Sequence, residues 1–192
     1  MKNKEFLENL KSIKNKTYFA YADLQKIYPG KEKNLKVILN RFNKQKKLIQ
    51  ILKGWYTLDK ARLDYEALAC ELVKPSYISL EYALHLHGII NQVPNTITLI
   101  TLKKSKNFNL ENYNLEYARI KQDLYFGFKI QDKILIAEAE KALLDELYLI
   151  SRGKRHFGLD DLNLENINKT RFKKWLKLFP KYTQELAKSI LK

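Results

Sequence analysis

Glu32-Lys33-Asn34-Leu35-Lys36-Val37-Ile38-Leu39-Asn40-Arg41-Phe42-Asn43-Lys44-Gln45-Lys46-Lys47, followed at once by Leu48-Ile49-Gln50-Ile51-Leu52-Lys53-Gly54-Trp55-Tyr56-Thr57-Leu58, is the stretch that decides the fold. Leu35, Ile38, Leu39 and Phe42 recur at the spacing of one helical face, which predicts a helix over 32–47 with one buried stripe. At about 100° per residue, Lys33, Lys36, Val37, Asn40, Arg41, Lys44 and Lys47 fall on the opposite face. The second run holds two β-prone segments on either side of Lys53-Gly54 and reads as a hairpin with Lys53 near its tip.

Toward the N-terminus, Phe6, Leu10 and Ile13 stand at i, i+4 and i+7 in a polar background and predict a first amphipathic helix. Ala20, Leu24 and Ile27 share one face of a short second helix, which Tyr28-Pro29-Gly30 stops. Helix, short helix, turn, basic helix and hairpin follow one another in the order of a winged helix-turn-helix, the hairpin being the wing. The expectation is a domain over residues 1–60 that binds double-stranded DNA. Lys and Arg suit phosphates and guanine edges, and the Asn amide suits adenine, so Asn40 and Arg41 are the base-reading candidates and Lys53 a phosphate contact. For any one of these side chains an ordinary solvent-facing role is the simpler reading. The grouping of seven positions on one face is what argues against it. Trp55 and Tyr56 are expected to close the small core rather than stack on bases.

Charge points the same way. The 192 residues carry a formal net charge of +15. Residues 1–60 hold 15 Lys and Arg against 5 Asp and Glu, a net of +10, whereas residues 61–192 hold 21 against 16, a net of +5. A concentrated positive field favours a polyanion, because each neutralised phosphate releases condensed counterions. Hydrophobic residues make up 45% of the chain, ample for a packed core. No apolar run approaches the roughly 20 residues of a membrane-spanning helix, and the polar Met1–Leu10 stretch has no signal-peptide segment behind it. A cytoplasmic protein that does not engage membrane is expected. The single cysteine, Cys70, excludes an intramolecular disulfide and a cysteine-rich zinc site, and its apolar neighbours predict a small buried thiol.

Residues 61–192 read as a second, α/β domain with a small mixed sheet and packing helices, giving an α+β chain overall. A helix is expected over 61–73, ended at Pro75, and another from an N-cap at Ser79 to Gly88. Thr96–Leu102 is a β-branched run, and further strands are expected over 115–120, 124–130 and 134–137. Residues 138–150 form the strongest helix, with Ala139, Ala142, Leu143, Leu147 and Ile150 apolar and Glu138, Glu140, Lys141, Asp145 and Glu146 charged. After a polar loop, Phe172, Trp175, Leu176 and Phe179 mark an amphipathic helix, with Lys173, Lys174 and Lys177 opposite them and Pro180 breaking it.

Catalytic machinery is not legible. His85 and His87 diverge on a helix, and His87, on the apolar side, reads as a hydrogen-bonded structural histidine. Asp160-Asp161 suits a helix start better than a metal site. Glu138-Ala139-Glu140-Lys141 lacks the spacing of a nuclease E-x-K, and no phosphate loop, serine elbow or zinc signature occurs. No catalytic residue, cofactor or metal is expected.

With these residues in place, the chain resembles the AbiEi family of antitoxins, the transcriptional-regulator half of bacterial type IV toxin-antitoxin, or abortive infection, systems. The resemblance spans most of the chain. It rests on Leu35–Phe42, on Gly54-Trp55-Tyr56-Thr57-Leu58, and more specifically on Tyr77–Gly88, the strand Ile97–Thr101 and Ala139-Glu140-Lys141-Ala142-Leu143-Leu144-Asp145. Ala139 stands where the family usually has proline. The resemblance implies a repressor of its own operon that binds an inverted repeat, with two protomers acting together on the DNA. It also implies an antitoxin that counters a nucleotidyltransferase toxin without forming a stable complex. The competing readings are a plain regulator whose second domain senses a ligand or dimerises, and a DNA-targeted nuclease that gathers Glu138, Glu140, Asp160 and Asp161 around a metal.

Overall fold

The computed structural model describes residues 2–158 and 162–190 and is of mixed α and β type, with eight α-helices and two sheets among the described residues. The chain divides into two compact units, Met1–Tyr65 and Glu66–Lys192. No helix among the described residues is long and apolar enough to cross a membrane.

The first unit runs α1 (Lys2–Ser12), β1 (Phe19–Ala20), α2 (Tyr21–Ile27), α3 (Glu32–Lys44), β2 (Ile49–Leu52) and β3 (Trp55–Thr57). Its core joins the three helical stripes: Phe6 and Leu10 from α1, Leu24 from α2, and Leu35, Ile38, Leu39 and Phe42 from α3, closed by Phe19, Leu48 and Tyr56. The strand β1 is an element that periodicity over a two-residue segment cannot reveal. It pairs antiparallel with β3, Phe19 opposite Tyr56, so that the sheet order is β1-β3-β2. Tyr56 is buried as expected, whereas Trp55 is only half-buried and tilts against Tyr18. The turn into α2 is held by Asp23, whose carboxylate accepts from the Ala20 N–H at 3.1 Å and from the Lys16 ammonium at 2.8 Å.

Helix α4 (Tyr65–Leu72) starts at the boundary residue, and all but its first residue belongs to the second unit. The expected start at residue 61 is too early, because the Asp59 carboxylate accepts from the Ala61 N–H at 2.9 Å and folds that segment into a local turn instead. Cys70, on this helix, is half-buried rather than enclosed. The strands β4 (Ser76–Ile78), β5 (Thr96–Thr101), β6 (Lys106–Asn109), β7 (Asn114–Arg119), β8 (Phe128–Gln131) and β9 (Ile134–Ala137) form one mixed sheet in the order β6-β7-β5-β4-β9-β8. Pairs β5–β7 and β4–β9 are parallel and the others antiparallel.

One strand departs from expectation, and the glycine and turn beside it show why. The strand expected over 124–130 is shortened to β8, because a 3-10 turn occupies Gln122–Leu124 and Gly127 takes a left-handed φ of 73°. A Cβ at Gly127 would meet the Lys141 side chain at 3.0 Å, so only glycine fits both the backbone and the space. The β8–β9 hairpin turns through Asp132 and Lys133, both at positive φ, which matches the right-handed twist of its strands.

Helices α5 (Leu80–Leu86), α6 (Ala139–Ile150), α7 (Lys169–Leu176) and α8 (Lys181–Ile190) complete the unit, α6 packing against α5, α7 and α8. Phe172, Leu176 and Phe179 are buried with Lys173, Lys174 and Lys177 exposed, and the Asn168 side chain caps α7 by accepting from the Arg171 N–H at 3.0 Å.

Candidate nucleic-acid interface

The conformation of α3 follows from its sequence. Glu32 sits in its first turn and Arg41 and Lys44 in its last, which complements the helix dipole at both ends. Its C-terminus closes with Lys46 in the left-handed region at φ 56°, the Lys46 N–H donating to the Asn43 carbonyl at 3.0 Å and the Lys47 N–H reaching back to Phe42 at 2.9 Å. This double closure ends the helix at Lys44. Lys47, expected on the helical face, is therefore corrected to a position just beyond it, where it remains exposed. The Asn43 side chain then accepts from the Gln50 N–H at 2.9 Å and fixes β2 to the end of α3.

Burial divides α3 cleanly. Leu35, Ile38, Leu39 and Phe42 are buried, while Lys33, Lys36, Val37, Asn40, Arg41 and Lys44 are all exposed. Six of the seven positions assigned to the outer face thus lie on it. Lys53 is exposed in the two-residue turn between β2 and β3, next to Gly54 at φ 81°, and the Gly54 carbonyl accepts from the Tyr21 N–H at 2.8 Å. The hairpin is thereby anchored at the start of α2.

None of Lys33, Lys36, Asn40, Lys44, Lys47 and Lys53 makes a side-chain hydrogen bond or ion pair among the described residues, and Arg41 only lies over the Phe42 ring. Like charges three residues apart, as in Lys33/Lys36 and Arg41/Lys44, cost a helix about 0.2–0.5 kcal/mol each. Apart from the dipole term at the C-terminal turn, the face therefore carries positive charge that no ion pair among the described residues offsets.

Cations in the second unit behave differently. Lys141 and Asp145 form an ion pair with neither side chain accessible, and the same carboxylate accepts from Tyr77 Oη at 2.8 Å and Ser79 Oγ at 2.9 Å. The sequence marks these residues only as the charged positions of α6; their enclosure could not be read from periodicity, since Glu140 and Glu146 are buried as well. Burial pulls the Lys141 ammonium below its usual range and pushes the Asp145 carboxyl up, each opposed by the other's charge. Ser79 precedes α5 as expected, but its hydroxyl is committed to Asp145 and caps nothing. The next residue, Leu80, is buried at φ 60°, a costly conformation held by Thr98, which accepts from the Tyr82 N–H and donates to the Ser79 carbonyl.

A second knot surrounds Arg155, whose guanidinium engages Glu146 at 2.9 Å, Glu81 at 2.8 Å and Glu116. Burial raises the Glu146 carboxyl to about 7 against the pull of Arg155, and its Oε2 is buried with no hydrogen-bond partner among the described residues. Arg119, Lys121, Arg152 and Lys154 line a neighbouring groove of about 970 Å³ together with Glu116 and Asp123, so its charge is of both signs.

Of the carboxylates gathered in the nuclease reading, Glu138 and Glu140 meet on one guanidinium, that of Arg171, and Glu140 accepts from the Asn168 N–H at 2.7 Å. Asp160 and Asp161 lie outside the described residues. Among the described residues no group of three His, Cys, Asp or Glu side chains is placed to hold a metal ion. His87 hydrogen-bonds the Ala137 carbonyl through Nε2 at 2.8 Å, in a structural role, while His85 Nδ1 is buried with no hydrogen-bond partner among the described residues.

Compared with known proteins, the chain matches no family model and no curated sequence.

Proposed function

We propose that the first unit is a winged helix-turn-helix that binds double-stranded DNA, with α3 in the major groove and the β2–β3 hairpin against the adjacent backbone. The single observation that carries this reading is the outer face of α3, where four exposed cations and one amide, none with a hydrogen bond or ion pair from its side chain among the described residues, surround one valine while the opposite stripe closes the core. Asn40 and Arg41 read base edges; Lys33, Lys36, Lys44, Lys47 and Lys53 contact phosphates.

On the resemblance of Tyr77–Gly88 and Ala139–Asp145 to AbiEi-type antitoxins, the protein represses its own operon from an inverted repeat and counters a nucleotidyltransferase toxin without a stable complex. It acts in the cytoplasm, without catalysis of its own. The DNA half of this account is tested with the double variant Lys36→Glu/Lys44→Glu. Loss of duplex binding with an unchanged circular dichroism spectrum is the expected result, and retained binding contradicts it. The antitoxin half is tested by co-expression with a nucleotidyltransferase encoded beside the gene: restored growth supports it, and unrelieved toxicity opposes it.

A further inference from the structure

Val37 is the one apolar side chain on the outer face of α3, and 69% of it is exposed. It contributes nothing to the core, and a β-branched residue in a helix interior is a poorer helix former than the lysines around it. At about 100° per residue, the direction opposite the buried stripe runs between Lys33 and Lys44, with Val37 about 30° to one side of it and Asn40 about 30° to the other, and with Arg41 and Lys36 further out. A face that only neutralised phosphates would gain from a cation at this position. A helix seated in a major groove brings the side chains around its outward direction to the base edges, and long lysines there still reach the backbones on either side, whereas a short valine reaches only the groove floor. The base edges of that groove display one apolar group, the 5-methyl of thymine.

We propose that Val37 reads a thymine 5-methyl group and that the site recognised by α3 holds this thymine beside the bases read by Asn40 and Arg41. The proposal rests on the DNA-binding reading above and deepens it. It makes the partner B-form DNA, since uracil lacks the methyl and the A-form major groove is too deep and narrow to admit a helix. Valine is suited to the task because its two methyls are fixed by one preferred χ1 rotamer in a helix, so little freedom is lost on contact.

The experiment uses the full chain. Binding sites are selected from a random duplex library at physiological salt, and each thymine of the enriched site is then replaced singly by deoxyuridine, which removes the methyl and keeps the pairing. The expected result is one thymine in each half-site at which deoxyuridine weakens binding about fourfold, the loss for one buried methyl-sized group. Val37→Ala should bind the thymine and deoxyuridine sites equally well, and Val37→Ile should keep the discrimination. Alanine is the better helix former, so the variant retains α3. Tolerance of deoxyuridine at every position, or undiminished discrimination by Val37→Ala, overturns the proposal while leaving the DNA-binding reading standing. Selection that enriches no sequence overturns sequence-specific recognition by α3, and this proposal with it.

Discussion

The Lys141 ammonium and the Asp145 carboxylate, one helical turn apart on α6, pair with each other where neither is accessible to solvent. A pair in that position is stable only while complete, because removing one partner leaves an uncompensated buried charge. Lys141→Met is expected to cost about 3–5 kcal/mol of stability, measured by urea unfolding. Lys141→Met/Asp145→Asn should recover part of that loss, since the neutral amide oxygen still accepts from Tyr77 and Ser79. A double variant no more stable than the single one would show that the pair is not the source of the cost.

The Arg155 knot gives a pH dependence of fixed sign. Glu146 is raised by burial to about 7 in the folded chain, above the ordinary carboxylate range that it takes when unfolded. Between those values the folded state binds more protons than the unfolded one, so stability is greatest on the acid side and falls as pH rises toward 7. Glu81, Glu116 and Arg155 are the charged groups around it, and the two glutamates reinforce the raised value. Urea midpoints measured from pH 5 to 8 should decline across that window, and Glu146→Gln should remove most of the decline.

Phe6 ties α1 to the rest of the first unit through an edge-on contact with Tyr28, ring centroids 5.2 Å apart, and a stacked contact with Phe42 at 6.3 Å. Phe6→Ala should cost about 3–5 kcal/mol through lost burial and the cavity left behind. Because Phe42 lies on α3, duplex binding should weaken in parallel with folding of this unit, and addition of DNA should raise the melting temperature of the variant.

Residues on the outer face of α3 should separate by role. Asn40→Ala or Arg41→Ala is expected to cost about 1–3 kcal/mol on a selected site and to relax base preference, whereas Lys44→Ala or Lys53→Ala should weaken all duplexes alike and lower the salt slope by about 1. Equal loss on specific and random duplexes for Arg41→Ala would remove Arg41 from base reading.

Much of the first unit was legible, because its helices bury one stripe each and the apolar spacing of Leu35, Ile38, Leu39 and Phe42 reports that directly. The end of α3 was not, since Lys46 closes it in a conformation that usually marks glycine or asparagine. In the second unit β4 was hidden by its position: Ser76–Ile78 lies in the middle of the sheet between β5 and β9, is buried throughout, and is too short to show a period. β6, with sequence Lys-Asn-Phe-Asn, is a polar edge strand that composition reads as loop. Helix α8 did leave a signal in Thr183, Leu186 and Ala187 at helical spacing after Pro180. The closed network of Tyr77, Ser79, Lys141 and Asp145 could not be inferred from sequence, because its members lie on elements whose adjacency only the sheet order establishes.

The most direct test of the central claim is a salt titration of binding to the duplex upstream of the protein's own gene, set against a random duplex of equal length. The account predicts a preference for the upstream duplex that survives physiological salt, together with a steep fall in affinity for both as salt rises. Equal affinity for the two duplexes at every salt concentration would contradict it.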